Sequence, residues 1–355
     1  MSRYLAVIFC CAFLAPAASA ARIGDSGGGA PKSAAAAKPS WAQPEIRYVV
    51  KHGLMAKSVT SFRADDTLTQ GELATLVAGL TKHSAGSVAA KSAPVTISQL
   101  DARLVTALEL SDAAKTFVDG ARAAGLTVPS RFGTETVARL LGLRTNHPAG
   151  QDDLELLPSD PATRAETAYS VAHILRFNGW EVQNVEDAAA SLALPQLGAW
   201  QTRVLNTAVR FIGYPYVWGG TSEKAEAPFG VQAHGGFDCS GFVWRVYKLQ
   251  AYSGGAALAT TIKGRTTYQM SGEVPRTKRI GFAKLAPGDV LFFGPSGPRS
   301  KPASIGHTGI YLGAGWMIHS SGQGVALTPL TGWYRQEFAW ARRPLAEAGL
   351  SGVRQ

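Results

Sequence analysis

Cysteine is nearly absent from this chain: three occur in 355 residues, and Cys10 and Cys11 stand in the first eleven positions. If a leader carries those two away, Cys239 remains alone and an internal disulfide is excluded. Long apolar runs are also missing. The stretch from Leu5 to Leu14 is shorter than the roughly 20 residues a spanning helix needs. No His or Cys cluster has metal-ligand spacing, and no glycine-rich phosphate motif occurs, so neither metal nor cofactor is expected. Acidic residues are outnumbered, 25 against 35 Lys and Arg, giving a net charge of +10. That excess implies attraction to a polyanion: nucleic acid, an anionic membrane face or an anionic cell-wall polymer.

Location narrows the choice. Arg3, the short apolar run and Ala18-Ser19-Ala20 have the layout of a cleaved export signal over residues 1–20. Export predicts a secreted, wall-associated protein with no transmembrane anchor and makes nucleic acid an improbable partner. A lone thiol in an oxidising compartment is a liability unless it is buried or chemically used.

Residues 21–44 are rich in Ala, Gly, Ser, Lys and Pro, including Gly27-Gly28-Gly29, and read as a flexible linker. Helical periodicity then dominates 45–182. Leu73, Leu76, Val77 and Leu80 follow Thr69; Leu100, Leu104, Val105 and Leu108 follow Thr96; Ala168, Val171, Ile174 and Leu175 follow Thr163. The recurrence suggests a degenerate helical repeat. The pattern breaks over 183–198, read as a second linker, and a mixed α+β region spans 199–343 with a tail at 344–355. It opens with a helix carrying Trp200, Val204, Leu205, Ala208, Phe211 and Ile212. After Cys239, Phe242, Val243, Val246 and Leu249 fall at core spacing. Strand-like runs follow at Val290–Phe293, Thr308–Leu312 and Trp316–His319. The expected architecture is an all-α repeat domain followed by an α+β domain with an antiparallel sheet.

The segment Pro161-Ala162-Thr163-Arg164-Ala165-Glu166 resembles the Thr-Arg-Ala-Glu signature of surface-layer homology repeats. The other copies read Thr69-Gln70-Gly71-Glu72 and Thr96-Ile97-Ser98-Gln99. The resemblance implies a small helical bundle that meets an anionic cell-wall polymer through its arginines, of which this chain keeps Arg164 alone. A helical spacer is the competing reading.

Chemistry concentrates in the C-terminal region. Asp238 is a plausible N-cap, which puts Cys239 in the first turn of a helix, where unpaired N–H groups favour a thiolate and offer donors to an oxyanion. Downstream, Gly306 to Leu312 and Trp316 to His319 flank Gly313-Ala314-Gly315. A hairpin with that three-residue loop sets Leu312 opposite Trp316 and Gly309 opposite His319. His307 and His319 then become diagonal neighbours on one face, with room left by Gly309. A base and its orienter beside a lone cysteine make a cysteine triad. His234, five residues before Cys239, is the rival accessory group.

Four blocks now resemble, in order, the NlpC family of cell-wall cysteine peptidases: Tyr216-Val217-Trp218-Gly219-Gly220, Phe237 to Phe242, Pro287 to Phe293, and Gly306 to Leu312, with Met317-Ile318-His319-Ser320 downstream. The resemblance implies a papain-like fold, Cys239 as nucleophile, His307 as base and His319 as its partner. It also implies Tyr216, Asp238 and Ser240 at the substrate, and cleavage of peptidoglycan stem peptides after γ-D-glutamyl next to a diamino acid. The stretch Thr221 to Gly236 is longer than a compact member needs and is expected to border the cleft. Acyl transfer by the same residues, or a non-catalytic wall-binding protein, are the alternatives.

Overall fold

In the computed structural model residues 39–84 and 88–350 are described. The expected export signal, most of the first linker and the last five residues of the tail lie outside them. Helices α1 (Gln43–Lys51), α2 (Gln70–Thr81), α3 (Ile97–Ala107), α4 (Ser111–Ala123), α5 (Phe132–Leu140), α6 (Arg164–Ile174) and α7 (Trp180–Ser191) come first. Then follow α8 (Ala199–Arg210), strands β1 (Thr221–Ser222) and β2 (Gly236–Phe237), α9 (Cys239–Trp244) and α10 (Thr267–Gly272). The chain ends with β3 (Val290–Phe293), β4 (His307–Gly313), β5 (Trp316–Ser321), β6 (Gly324–Pro329), α11 (Gly332–Glu337), β7 (Phe338–Arg342) and α12 (Pro344–Glu347).

The three threonine-led helices share one physical beginning. Thr69, Thr96 and Thr163 are N-caps in extended conformation, each accepting the backbone N–H three residues on. Glu72 and Gln99 complete capping boxes at the first two. The residues just before the caps close a ring: Leu68 N–H donates to Ala162 O at 2.8 Å, Ala162 N–H to Val95 O at 2.8 Å, and Val95 N–H to Leu68 O at 2.9 Å. All three side chains are buried. Three equivalent segments thus meet at one centre, which is how a repeat satisfies backbone groups that single units leave open.

Arg164 does not face solvent as the surface-layer resemblance implied. It is buried, donating to Met55 O, Phe62 O and Glu72 Oε1, with its guanidinium over the Phe62 ring. Three of its five N–H groups hold α6 to α2 and the α1–α2 connection, so it acts as a structural tie.

Two boundaries also differ from expectation. Ala42, placed in the first linker, is fully buried. The second linker begins inside α7, which packs Val185 and Ala189 against α4. An alanine-rich face with few large apolar residues looks like a connector in sequence, yet alanines permit close helix packing. From Ser40 onward the chain is one compact unit, and a single apolar cluster runs from Ile46 and Val49 to the sheet. Phe117 of α4 meets Trp316 of β5 edge to face, with ring centroids 5.7 Å apart.

The sheet is five-stranded and antiparallel in the order β6-β5-β4-β3-β7. Alternation sends Phe292, Ile310, Leu312, Ile318 and Leu327 into the large cluster. Leu291, Phe293 and Met317 enter a smaller one on the other face. β6 and β7 escaped sequence reading because Gly324–Pro329 mixes small residues with a terminal proline, and Phe338–Arg342 abuts a helix. After α9 the chain continues as a π-helical turn over Arg245–Leu249. The added residue shifts the phase, so Val246 and Tyr247 are buried while Leu249, expected in the core, is exposed.

A buried ion set in the helical half reaches the C-terminal half through one hydrogen bond. Asp101 of α3, fully buried, pairs with Arg139 of α5 at 3.3 Å and with Arg144. Arg139 also donates to Gly213 O at 2.8 Å, and Arg144 reaches Glu166 of α6. Removing one partner from such a set strands buried charge. Asp101→Asn should cost about 3–5 kcal/mol, read as a shift in denaturant midpoint. Because one core serves both halves, calorimetry of the wild type should give a single unfolding transition. Two separated transitions would contradict the shared core.

Candidate active site

Cys239 opens α9 because Asp238 caps it, accepting the Gly241 N–H at 2.5 Å with an extended backbone. The thiol is nearly covered, 8% exposed, and receives the backbone N–H groups of Thr308 and Ser240. Thr308 follows His307 directly, so the sulfur lies against the start of β4. Tyr216 and Tyr334 are close enough to feel its charge.

The two strand histidines meet as the β register dictates. Ile310 pairs with Ile318, which sets Gly309 opposite His319. A Cβ on Gly309 would stand 2.9 Å from the His319 Cβ, so the glycine leaves the space both rings need. His307 Nε2 lies 2.7 Å from His319 Nδ1, and the rings cross at 84°. The turn differs from the one expected: a bulge at Leu312 moves the pairing so that Gly313, not Leu312, faces Trp316. Only Ala314 and Gly315 remain in the loop, both with positive φ, as a tight two-residue hairpin requires.

His319 Nε2 continues the chain of contacts to Thr328 Oγ1 of β6, at 2.9 Å. Sequence reading missed Thr328. The signal was present in the Gly322-Gln323 turn, which pairs Ser321 with Gly324 and so Met317 with Thr328. Tyr334 on α11 was also missed; its ring lies 5.2 Å from that of His319 and 5.9 Å from that of His307. Trp333 beside it is 49% exposed. Nothing in local periodicity announces α11, a six-residue helix placed by the return of β7.

Burial dominates the electrostatics. It pushes the Cys239 thiol up to about 12, Asp238 adding to it while the Thr308 and Ser240 N–H groups oppose. Burial alone brings His307 down to about 4. His319 falls well below the usual imidazole range through burial and then the neighbouring His307. Tyr334 rises to about 12 by burial and then Cys239, and Tyr216 rises further for the same reasons. The helix-start stabilisation expected of a thiolate is overcome: α9 has only six residues, and the sulfur has lost water.

Asp238 and Ser240, expected at the substrate, are engaged with each other and with Arg265. Ser240 Oγ–H donates to Asp238 Oδ1 at 3.0 Å, and Arg265 donates to both Asp238 oxygens and, at 2.6 Å, to Ser240 Oγ. Arg265 also reaches Gly219 O and Gly220 O, locking the Tyr216–Gly220 block to the cysteine turn. Tyr216 is part-exposed beside them. His234 turns elsewhere, with Nδ1 at 2.5 Å from Asp160 of the helical half. It fastens the Thr221–Gly236 loop rather than joining the thiol. That loop is rigid: Glu226 accepts from Thr221 N and Ser222 N, and Glu223 takes Arg245 through two 2.7 Å contacts. Phe229 is 56% exposed and leans on Gly219. Among the described residues no group of three or more His, Cys, Asp or Glu is disposed to hold a metal.

Residues 213–343 match the model of the NlpC/P60 family. The chain is 34% identical over 146 residues to a gamma-D-glutamyl-L-lysine dipeptidyl-peptidase of Bacillus cereus, covering 40% of this chain and 36% of that one. It is 29% identical over 147 residues to the protein of the same name from Bacillus subtilis, covering 41% of each. Murein DD-endopeptidase MepH of Escherichia coli is 29% identical over 142 residues, 39% of this chain and 44% of that one. A solved NlpC/P60 family protein from Bacillus cereus is 31% identical over 41% of this chain and 40% of its own, with a TM-score of 0.31. The chain spans less than half the length of these relatives. Its C-terminal part, residues 213–343, is an NlpC/P60 domain.

Proposed function

We propose that the protein is an exported cysteine peptidase of papain-like fold. It cleaves amide bonds in peptidoglycan stem peptides, at the γ-D-glutamyl bond to a diamino acid. The observation that carries the reading is the contact chain from His307 through His319 to Thr328, with the Cys239 thiol held by the N–H of Thr308 next to His307, inside an NlpC/P60 domain. The substrate class comes from the relatives' names, which print gamma-D-glutamyl-L-lysine dipeptidyl-peptidase and murein DD-endopeptidase.

The mechanism assigns one tautomer to each histidine so that the nitrogen of His307 outside the pair is free to accept a proton. His307 Nε2–H donates to His319 Nδ1, and His319 Nε2–H donates to Thr328 Oγ1. Nδ1 of His307 is then the basic nitrogen. It takes the thiol proton as the sulfur attacks the amide carbonyl and the C–S bond forms. The tetrahedral oxyanion is met by N–H groups at the start of α9. Collapse breaks the C–N bond, and His307 returns its proton to the leaving amine. Water, deprotonated by His307, then opens the thioester and restores the thiol. With the thiol covered and the imidazole shielded from water, the resting pair in this reading is neutral, and the proton moves as substrate arrives.

Digestion of purified peptidoglycan, read by mass spectrometry, should yield stem-peptide fragments with wild type and none with Cys239→Ala. Fragments from both proteins would exclude Cys239 as nucleophile. A neutral pair also has a signature in alkylation. Iodoacetamide should react with Cys239 slowly at neutral pH, and the rate should still be climbing above pH 9, since the folded thiol is held near 12. A plateau reached by pH 7 would mean a thiolate–imidazolium pair instead.

Thr328→Val leaves the buried His319 donor unpaired, a loss of about 1–3 kcal/mol, or roughly tenfold to a hundredfold in kcat. Thr328→Ser should recover most of it, because the hydroxyl alone fixes the tautomer. Equal rates for Val and Ser would remove Thr328 from the relay.

A further inference from the structure

The positive charge of this protein has a place on the fold. From Arg276 to Lys284 the sequence holds four cations, Arg276, Lys278, Arg279 and Lys284, and no acidic residue. That segment runs along the free side of β7, the edge strand of the sheet. Ile280 N–H donates to Ala341 O at 3.0 Å, and Ala341 N–H donates back at 2.9 Å. Short turns at Arg276–Lys278 and Phe282–Lys284 carry the cations on either side of the bridge. Arg335 of α11 joins them, its guanidinium 3.9 Å from the centroid of the Phe282 ring. Arg279 lies 3.5 Å over Trp340.

Among the described residues none of these five cations is within ion-pair distance of a carboxylate. The neighbouring basic residues Arg265, Arg342 and Arg343 are all paired. Arg276, Lys278, Lys284 and Arg335 are exposed. A guanidinium flat on an aromatic ring keeps its in-plane N–H edge for an anion and loses little freedom on binding. Charges along a sheet edge also discourage strand addition. That role asks for charge of either sign, however, and the Ile280 bridge already occupies the ladder.

We infer that this edge is a docking surface for a linear phosphate-bearing polymer of the cell envelope, distinct from the stem-peptide cleft. Its cations follow the strand edge in a row and do not converge on a pocket, which suits repeated charges on a chain. A bilayer is the poorer fit, because the rings under the cations are not free to insert: Trp340 under Arg279 is 2% exposed, and Phe282 under Arg335 is half-buried beneath the guanidinium. Arg335 neighbours Trp333 and Tyr334, so polymer on this edge would hold the enzyme with its cleft beside the wall.

The test uses the full chain and fluorescence anisotropy with labelled inorganic polyphosphate. Wild type should bind, and log Kd should rise steeply with log salt. The triple reversal Arg276→Glu, Lys278→Glu and Lys284→Glu should weaken binding by about tenfold or more, and flatten the salt slope by about 1 per cation that contacts phosphate. The neutral triple Gln variant should fall between. A control with the same change of net charge, Arg47→Glu, Lys51→Glu and Arg122→Glu, should bind nearly as wild type. Absence of wild-type binding would overturn the inference. So would equal loss in control and edge variants, or tighter binding to polyglutamate or phosphatidylglycerol vesicles. Hydrolysis of a soluble muropeptide by the edge variant, read separately, should match wild type and keeps this outcome independent of the peptidase reading.

Discussion

A fully buried carboxylate at Asp101 faces two guanidiniums, and the rest of the fold is arranged around that constraint. Taking such charges out of water costs several kcal/mol each unless partners surround them. Here the partners come from separate stretches of chain. Asp101 belongs to α3, Arg139 and Glu135 to α5, Glu166 to α6, and Arg144 to the connection after α5. Arg139 also donates to Gly213 O, while its buried Nε has no partner among the described residues. Gly213 adopts a φ of +85°, and a Cβ there would meet Glu135 Oε2 at 2.5 Å. The first residue of the NlpC/P60 domain is thus shaped by the helical half, and burial raises Glu135 to about 7 as the cost of that fit. A buried ion set contributes specificity of arrangement more than net stability.

The same trade between burial and charge governs the candidate site. Desolvation raises the thiol and lowers both imidazoles, which disfavours charge on all three. What the fold supplies instead is direction. Each nitrogen of His319 has one partner, His307 Nε2 on one side and the Thr328 hydroxyl on the other. The histidine pair extends to Thr328, which sits on a strand whose sequence carries no such signal. Arg265 plays the corresponding part on the cysteine side, where it saturates Asp238 and Ser240 and fixes the turn that presents Cys239.

How much of this was legible in the sequence depends on how local each cause is. Thr69, Thr96 and Thr163 announced three helix starts because a cap acts within four residues. The facing of Gly309 and His319 was legible because side-chain alternation survives a change of turn: the bulge at Leu312 altered the loop but not the register beyond it. Leu249 failed because a π-turn adds a residue without any marker. The linker over 183–198 failed because packing of α7 on α4 depends on a partner 60 or so residues away. Arg164 looked like a ligand-binding cation because motif resemblance says nothing about what lies above it, here Met55 O and Phe62 O. Arg265, Tyr334 and Thr328 reach the site through tertiary return, which no window of sequence contains.

The helical half also positions part of the C-terminal half. Asp160, at the turn that leads into the third repeat, holds His234 and with it the far end of the Thr221–Gly236 loop. The near end is held by Arg245 from the segment following α9. Phe229, exposed between these anchors, stands over Gly219 beside Trp218, so one wall of the region around Tyr216 is positioned jointly by both halves. A loop pinned at both ends keeps its shape when substrate arrives, and ordering costs that a free loop would incur on binding are already met by the fold. On the opposite flank, Trp333 and Tyr334 descend from α11, whose next residue belongs to the basic edge. Selection at the cleft and attraction at the edge are built on different elements, so either could change without disturbing the histidine chain between them.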